Sequence, residues 1–194
     1  MSRAALICVI TTVVATGTLE TQCTPSVLVT YFSQTGRTQV MADAVADGAR
    51  AVTGAAVTVL PIDSTTTEHL LAADAVILGT PVYNGNVAPQ VLAFIGRWPF
   101  LEGEMRDKLG AAFVTAGGMS AGEEATLLSI HRAMLVHGML IVGGADWMSA
   151  FGASAVTEEP PFTPPPGTID EVFLAKARGL GQRVAGIAHR MVCP

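Results

Sequence analysis

Short apolar runs alternate with longer amphipathic stretches along most of this chain. Residues 27–32 read VLVTYF and lack the polar alternation of a half-exposed strand, which predicts a strand buried on both faces. Residues 37–50 follow, with Val40, Met41, Ala44, Val45 and Gly48 on one helical stripe. Further strands are expected over residues 56–62, 74–79 (DAVILG), 109–115 (LGAAFVT) and 139–143 (MLIVG). Helices are expected over about residues 88–97 and over 122–136, where Leu127, Leu128, His131, Met134 and Leu135 share a face. His131, on that apolar face, reads as core. A last helix is expected from Thr168, with Glu171 three residues on as a capping box, to about His189.

Five strands alternating with helices, all without polar alternation, imply a parallel sheet covered on both faces. Right-handed crossovers make the doubly wound order 2-1-3-4-5 the natural topology. Residues 144–167 break the pattern, with five prolines between Pro160 and Pro166, and read as one long surface loop. The chain divides into an N-terminal extension, residues 1–24, and one α/β body, residues 25–194. In the extension, Arg3 precedes an apolar stretch over residues 4–15 and then small residues. That is the order of a secretory leader, or else of an apolar extension that is never cleaved, so localisation is open between an exported and a cytoplasmic protein.

Composition narrows the field. Half the residues are hydrophobic and 14% are charged, so the body can bury a real core. The net charge of -5, with no Lys/Arg-rich run, argues against a nucleic-acid partner. Of three cysteines, Cys8 lies in the extension, and Cys23 and Cys193 at the two ends of the body could pair only if those ends meet in an oxidising compartment. Three free thiols is the expectation. With no Cys-x-x-Cys pair, no metal site is signalled.

In such sheets ligands bind beyond the carboxyl ends of the strands. The loop after the first strand is Ser33-Gln34-Thr35-Gly36-Arg37-Thr38, three hydroxyls and a glycine at a helix start. Exposed amides and the helix dipole make that a phosphate site, although the same residues also make an ordinary helix cap. It is not a nucleotide P-loop, since no Gly-Lys-Ser/Thr occurs, and no Gly-x-Gly-x-x-Gly follows a strand. The second loop, residues 80–89, reads TPVYNGNVAP, and its backbone could meet the edge of a flat heterocycle while Tyr83 offers a ring. The third loop is Thr115-Ala116-Gly117-Gly118-Met119-Ser120-Ala121-Gly122, fit to wrap a ring or a polyol chain through backbone contacts.

From about residue 27 to 189 the chain resembles the flavodoxin-like NAD(P)H:quinone oxidoreductases of the WrbA type. SQTGRT looks like that family's FMN phosphate loop, and GTPVYNGNVAPQ like its isoalloxazine loop. TAGGMSAGEEATL, followed by HGMLIVG, is similar to its third loop, helix and fifth strand. The resemblance implies a flavodoxin-like five-stranded fold and an enzyme carrying a hydride from NAD(P)H through FMN to a quinone in two steps. It assigns the phosphate to Ser33, Gln34, Thr35, Gly36, Arg37 and Thr38. It assigns the flavin ring to Pro81, Val82, Tyr83, Asn84 and Gly85, and ring and ribityl contacts to residues 115–122. It places His137 over the flavin, and His137 or Tyr83 would polarise or protonate the acceptor oxygen. Taken alone, His137 also reads as a helix C-terminal histidine favoured by the dipole. Phe100 and Trp98 would shape the substrate pocket, and a homo-oligomer, dimer or tetramer, is implied. The chain departs from the family at Thr35, at Tyr83-Asn84 and in the Pro-rich segment. Two rival readings are a flavodoxin-type electron carrier and a flavin-free domain on the same fold.

Overall fold

The structure, a computed structural model, describes residues 23–193. The expectations for residues 1–22, Cys8 and the leader among them, lie outside the described residues. Seven strands form the sheet: β1 (Ser26–Tyr31), β2 (Ala56–Pro61), β3 (Ala75–Tyr83), β4 (Asn86–Val87), β5 (Leu109–Ala116), β6 (Leu140–Ile141) and β7 (Ala153–Val156). Five helices accompany them: α1 (Arg37–Arg50), α2 (Thr67–Ala72), α3 (Pro89–Ile95), α4 (Glu123–Val136) and α5 (Glu171–Val192). The order β2-β1-β3-β5-β6 is parallel throughout, while β7 also pairs with β5 in parallel and β4 folds back antiparallel on β3.

The doubly wound arrangement follows the expectation; the five-strand count does not. The fifth strand is split. Past Ile141 the chain leaves the sheet edge, because Gly143 and Gly144 lie flush against the carbonyls of Ala150 and Ser149, and the Gly144 N–H donates to Ser149 O at 2.9 Å. After a 3₁₀ turn at Trp147–Ser149 it returns as β7, so the segment read as loop contains a strand. The expected second loop is instead a hairpin. β3 runs on to Tyr83, and Asn84 and Gly85 turn it with φ of 51° and 72°, the paired positive values of a two-residue hairpin turn. Helix α2 was not expected from periodicity, having one buried residue, Leu70. It starts at a reciprocal cap between Thr66 and His69, and its last carbonyls, Leu71 O and Ala73 O, accept from Lys108 Nζ at 2.7 and 2.6 Å.

Two cores lie on the two faces. On one, Val29, Ile77 and Phe113 meet Val45 of α1 and Leu180 and Val184 of α5. On the other, Leu28, Val76 and Val114 meet Phe94 of α3 and Ile130 and Met134 of α4. Strand β2, at the edge, shows the half-exposed pattern of a strand with one free side. His131 is buried as expected, its Nε2 has no partner, and burial lowers its pKa. Helix α5 begins at Glu171, not Thr168, and its N-cap Asp170 makes no side-chain capping bond. Thr168 Oγ1 donates instead to Pro165 O at 2.7 Å, because the Pro-rich turn claims it.

Helix α5 runs antiparallel to the strands, so its end returns to where the chain enters β1. There Cys23 and Cys193 form a disulfide with Cα atoms 5.6 Å apart, which corrects the expectation of free thiols. Cys193→Ser is expected to cost about 2–4 kcal/mol in denaturant melts. Reductant should lower the parent to the variant's level and leave the variant unmoved. Along the same helix Gly181 faces Val45 O of α1, with no room for a Cβ, whereas Gly186 meets only the far end of Arg190 at 3.8 Å. Gly181→Ala should therefore cost about 3 kcal/mol or more in thermal melts. Gly186→Ala should stabilise by about 0.5–1 kcal/mol through helix propensity.

Candidate functional site

The register across the sheet aligns three strand ends. Tyr31 lies opposite Gly79, and Pro81 opposite Thr115, so the segments after β1, β3 and β5 emerge side by side. Between them opens a cavity of about 210 Å³. Its walls are Gln34, Thr35, Arg37 and Thr38 from the first segment, Pro81, Val82 and Tyr83 from the second, and Thr115, Ala116 and Gly117 from the third. Ten of the expected cofactor residues thus meet in one place.

The first segment reaches α1 through Gly36, the N-cap, whose φ of 84° is left-handed. No side chain caps this helix, and its first turn holds no acid. Its free amides and positive dipole end are thus unclaimed by any carboxylate of its own first turn. Helix α4 differs. Glu123 and Glu124 occupy its first turn, and Glu123 Oε1 accepts from Ser120 N at 3.1 Å. Of these two helix starts, α1 is the one with no acid in its first turn. Ser33 Oγ is buried and lacks a partner, a hydroxyl aimed at nothing within the chain.

Other contacts hold the segments in place. Thr38 Oγ1 and Thr115 Oγ1 lie 2.8 Å apart and buried, pinning α1 to the end of β5. The Tyr83 hydroxyl donates to Gln34 Oε1 at 2.6 Å, joining second segment to first. Thr80 Oγ1 accepts from Ala88 N at 3.2 Å and sets the hairpin. Gly122 packs on Gly85, where a Cβ would come within 2.7 Å of the Gly85 Cα, so the second and third segments touch backbone to backbone. Asn84, Gly85, Gly118, Met119, Ser120 and Ala121 sit beside the cavity, in the hairpin turn and the third segment, without forming its walls.

Sequence reasoning missed Thr157 and Glu158, which close the fourth side. The Arg37 Nη1 donates to Glu158 Oε1 at 2.9 Å across the cavity. The signal that would have exposed them is ASAV, residues 153–156, a short apolar run inside the segment read as loop.

His137, Trp98 and Phe100 are brought together, but elsewhere. The His137 ring lies 5.5 Å from Trp98 and 5.3 Å from Phe100, and its Nδ1 lies 2.9 Å from Ala133 O. This cluster is at the C-terminal end of α4, whose 14 residues span about 21 Å from the cavity's edge of the sheet. Within the single chain His137, Trp98 and Phe100 do not line the cavity: Trp98 is buried in the core and His137 follows a helix C-terminus.

Residues 61–154 match the family described as NADPH-dependent FMN reductase. An NAD(P)H dehydrogenase (quinone) from Geotalea daltonii is 32% identical over 206 aligned positions, covering 86% of this chain and 98% of that relative. One from Geotalea uraniireducens is also 32% identical, over 85% of this chain and 98% of that relative. Among solved structures, a WrbA-like flavodoxin from Agrobacterium tumefaciens superposes with a TM-score of 0.70 at 27% identity, covering 86% of this chain and 98% of that one. An archaeal flavodoxin shares the fold, with a TM-score of 0.64 at 20% identity.

The Thr38–Thr115 pair offers a direct test of how the cavity is braced. Thr38→Val should cost about 1–3 kcal/mol in denaturant melts, because it strands the Thr115 hydroxyl in a buried place. The double variant Thr38→Val/Thr115→Val should recover most of that loss.

Proposed function

The chain belongs to the NAD(P)H dehydrogenase (quinone) family, and on that footing we propose that the cavity between the ends of β1, β3 and β5 holds FMN for a two-step, ping-pong oxidation of NAD(P)H by a quinone. As a member it is an oxidoreductase with FMN as cofactor and NAD(P)H as electron donor. The observation that carries the site is the acid-free N-terminus of α1, with the unpartnered Ser33 Oγ beside it. That donor set suits a phosphate monoester.

The residues present fit the cofactor. Ser33, Thr35, Thr38 and the backbone of residues 34–38 would hold the phosphate, with Arg37 beside it. Pro81, Val82, Tyr83, Asn84 and Gly85 would lie along the ring, and residues 115–122 along the ribityl chain and ring. At about 210 Å³ the cavity is smaller than the usual 300–1,000 Å³ of a ligand pocket. It suits the phosphate and polyol end, leaving the ring at the mouth where donor and acceptor can reach it. The chemistry FMN supplies when bound is acceptance of a hydride from NAD(P)H and delivery of two electrons to the acceptor. The protein's part is orientation and field. Backbone N–H groups of the Asn84-Gly85 turn and of the third segment can donate to a ring that gains negative charge. The Tyr83 hydroxyl, which donates to Gln34 Oε1 across the cavity wall, would turn its proton from Gln34 to hydrogen-bond the acceptor oxygen. His137 takes that role only if a second copy brings its Trp98–Phe100 cluster to the cavity. A homo-oligomer is favoured by the apolar surface of α3 and α4, where Leu92, Leu128, Leu135 and Val136 are exposed.

A carrier reading rests on one observation: the fold puts the Glu158 carboxylate in the cavity wall and Glu159 on Met119 N of the third segment, adding two acids to Glu123 and Glu124 at the start of α4. One experiment separates the readings. The protein is saturated with FMN, freed of unbound flavin and followed by absorbance. The enzyme reading expects retained flavin bands, bleaching by NAD(P)H and recovery on adding benzoquinone. Tyr83→Phe should keep the flavin and slow the recovery by about 10- to 100-fold. Retained bands that NAD(P)H does not bleach would establish the carrier, and no retained flavin would overturn the site.

A further inference from the structure

The segment that follows β7 forms a strap along the fourth side of the cavity, with Thr157 and Glu158 in its wall. It leaves the sheet with Thr157 N donating to Ala116 O at 3.0 Å and Glu158 N to Gly117 O at 2.8 Å. It turns between Glu159 and Phe162, and the Phe162 ring packs on Phe173 of α5 at 4.8 Å. It ends at Gly167, whose Cα would lie 4.0 Å from a Cβ on Gly36. The strap therefore runs from the third segment, where backbone hydrogen bonds hold it, past the Phe162–Phe173 contact to a point near the start of α1.

Its two carboxylates are turned inward onto donors of the site. Glu158 Oε1 accepts from Arg37 Nη1 at 2.9 Å, and Glu159 Oε2 accepts from Met119 N at 2.6 Å. Gly117 and Gly118 give them room: a Cβ there would come within 3.2 Å of Glu158 Oε2 and 2.7 Å of Glu159 Oε2. Arg37, mostly buried, is thus neutralised by the chain itself, while Glu158 remains largely open to water. A phosphate monoester carries nearly two negative charges at neutral pH. One settling on residues 33–38 would meet the Glu158 carboxylate across the cavity and find Arg37 already engaged. An unphosphorylated flavin would meet neither obstacle.

We propose that Glu158 and Glu159 set the flavin selectivity of this pocket, holding down its preference for FMN over riboflavin. The inference rests on the FMN reading above. It makes the two glutamates specificity-determining residues, and it makes the bound cofactor exchangeable rather than locked in.

The test measures dissociation constants of FMN and riboflavin by flavin fluorescence, for the full chain, for Glu158→Gln and for Glu158→Gln/Glu159→Gln. FMN should bind about three- to tenfold tighter to the first variant, and tighter again to the second, because an anionic neighbour is removed and Arg37 is released. Riboflavin affinity should stay within about twofold in Glu158→Gln, which also reports that the pocket is intact, while in the double variant, where Met119 N is released too, the FMN-to-riboflavin ratio is the readout. Weaker FMN binding, or an equal change for both flavins, would overturn the proposal and leave the glutamates as braces of the strap. If the parent binds FMN but the FMN-to-riboflavin ratio does not move, the selectivity inference alone falls. If none of the three proteins takes up either flavin, the FMN site itself is refuted and the inference with it.

Discussion

The arrangement of the site depends on how closely two helices approach each other. Gly48 of α1 lies against the carbonyl of Arg178, and Gly181 of α5 lies against the carbonyl of Val45, so the backbones touch at two reciprocal points with no side chain between them. Small residues permit such contact, and a single methyl at either point would force the helices apart in a core that has no spare volume. The consequence travels along both helices. At one end of α1 is Gly36 and the anion-ready turn. Near the start of α5 is Phe173, on which the strap rests, and at its end is Cys193, bonded to Cys23 ahead of β1. One packing contact thus places the α1 end of the cavity, the strap beside it and the chain's entry into the sheet.

Electrostatics then decide which helix start becomes a site. Helices α1 and α4 both follow strands that border the cavity, α1 after β1 and α4 after β5. Helix α4 satisfies its own dipole with Glu123 and Glu124, whereas α1 has no acid in its first turn and carries Arg37 at its first position. The field at α1 favours an external anion. The opposing influence comes from far away in sequence, at Glu158, and reaches Arg37 only because β7 lies on β5. Affinity for a phosphate at this edge is a balance between a local attraction and a non-local competitor.

Much of this was legible in the sequence, and what was hidden has a common cause. Helix α1 was readable to the residue, and the buried runs VLVTY, AVILG and LGAAFVT marked the central strands, because each element's hydrophobic period is long enough to register. The segments after three strands stood out because their composition departs from that of the core, and they do line one cavity. The split of the fifth strand, the disulfide and the strap were not. Each depends on two segments that meet only after folding. β6 has two residues and α2 six, too few for a period to show. Cys23 and Cys193 are 170 residues apart, and only the antiparallel return of α5 brings them together. His137 shows the same dependence on folding: the strand segment MLIVG after it belongs to the expected fold, but the helix before it carries the ring to the far end of the sheet within one chain.

The split strand also explains why the cavity has a fourth wall. A continuous fifth strand starting at Leu140, paired with Leu109, would have run along β5 and reached the cavity's edge within about eight residues. Instead the glycines at 143 and 144 turn the chain out, and it rejoins β5 at Phe113 with Ala153. The excursion consumes the residues between and presents a different stretch, Thr157 and Glu158, at the strand's end. Backbone pairing to Ala116 and Gly117 fixes that stretch, so the carboxylate faces Arg37 by virtue of strand register and not by chance of a mobile loop. A change in register of one residue would turn Glu158 to the other face of the strand and swap in Thr157 or Glu159. The electrostatic character of the cavity is therefore set by the length of the excursion between β6 and β7, a segment that does not itself line the cavity.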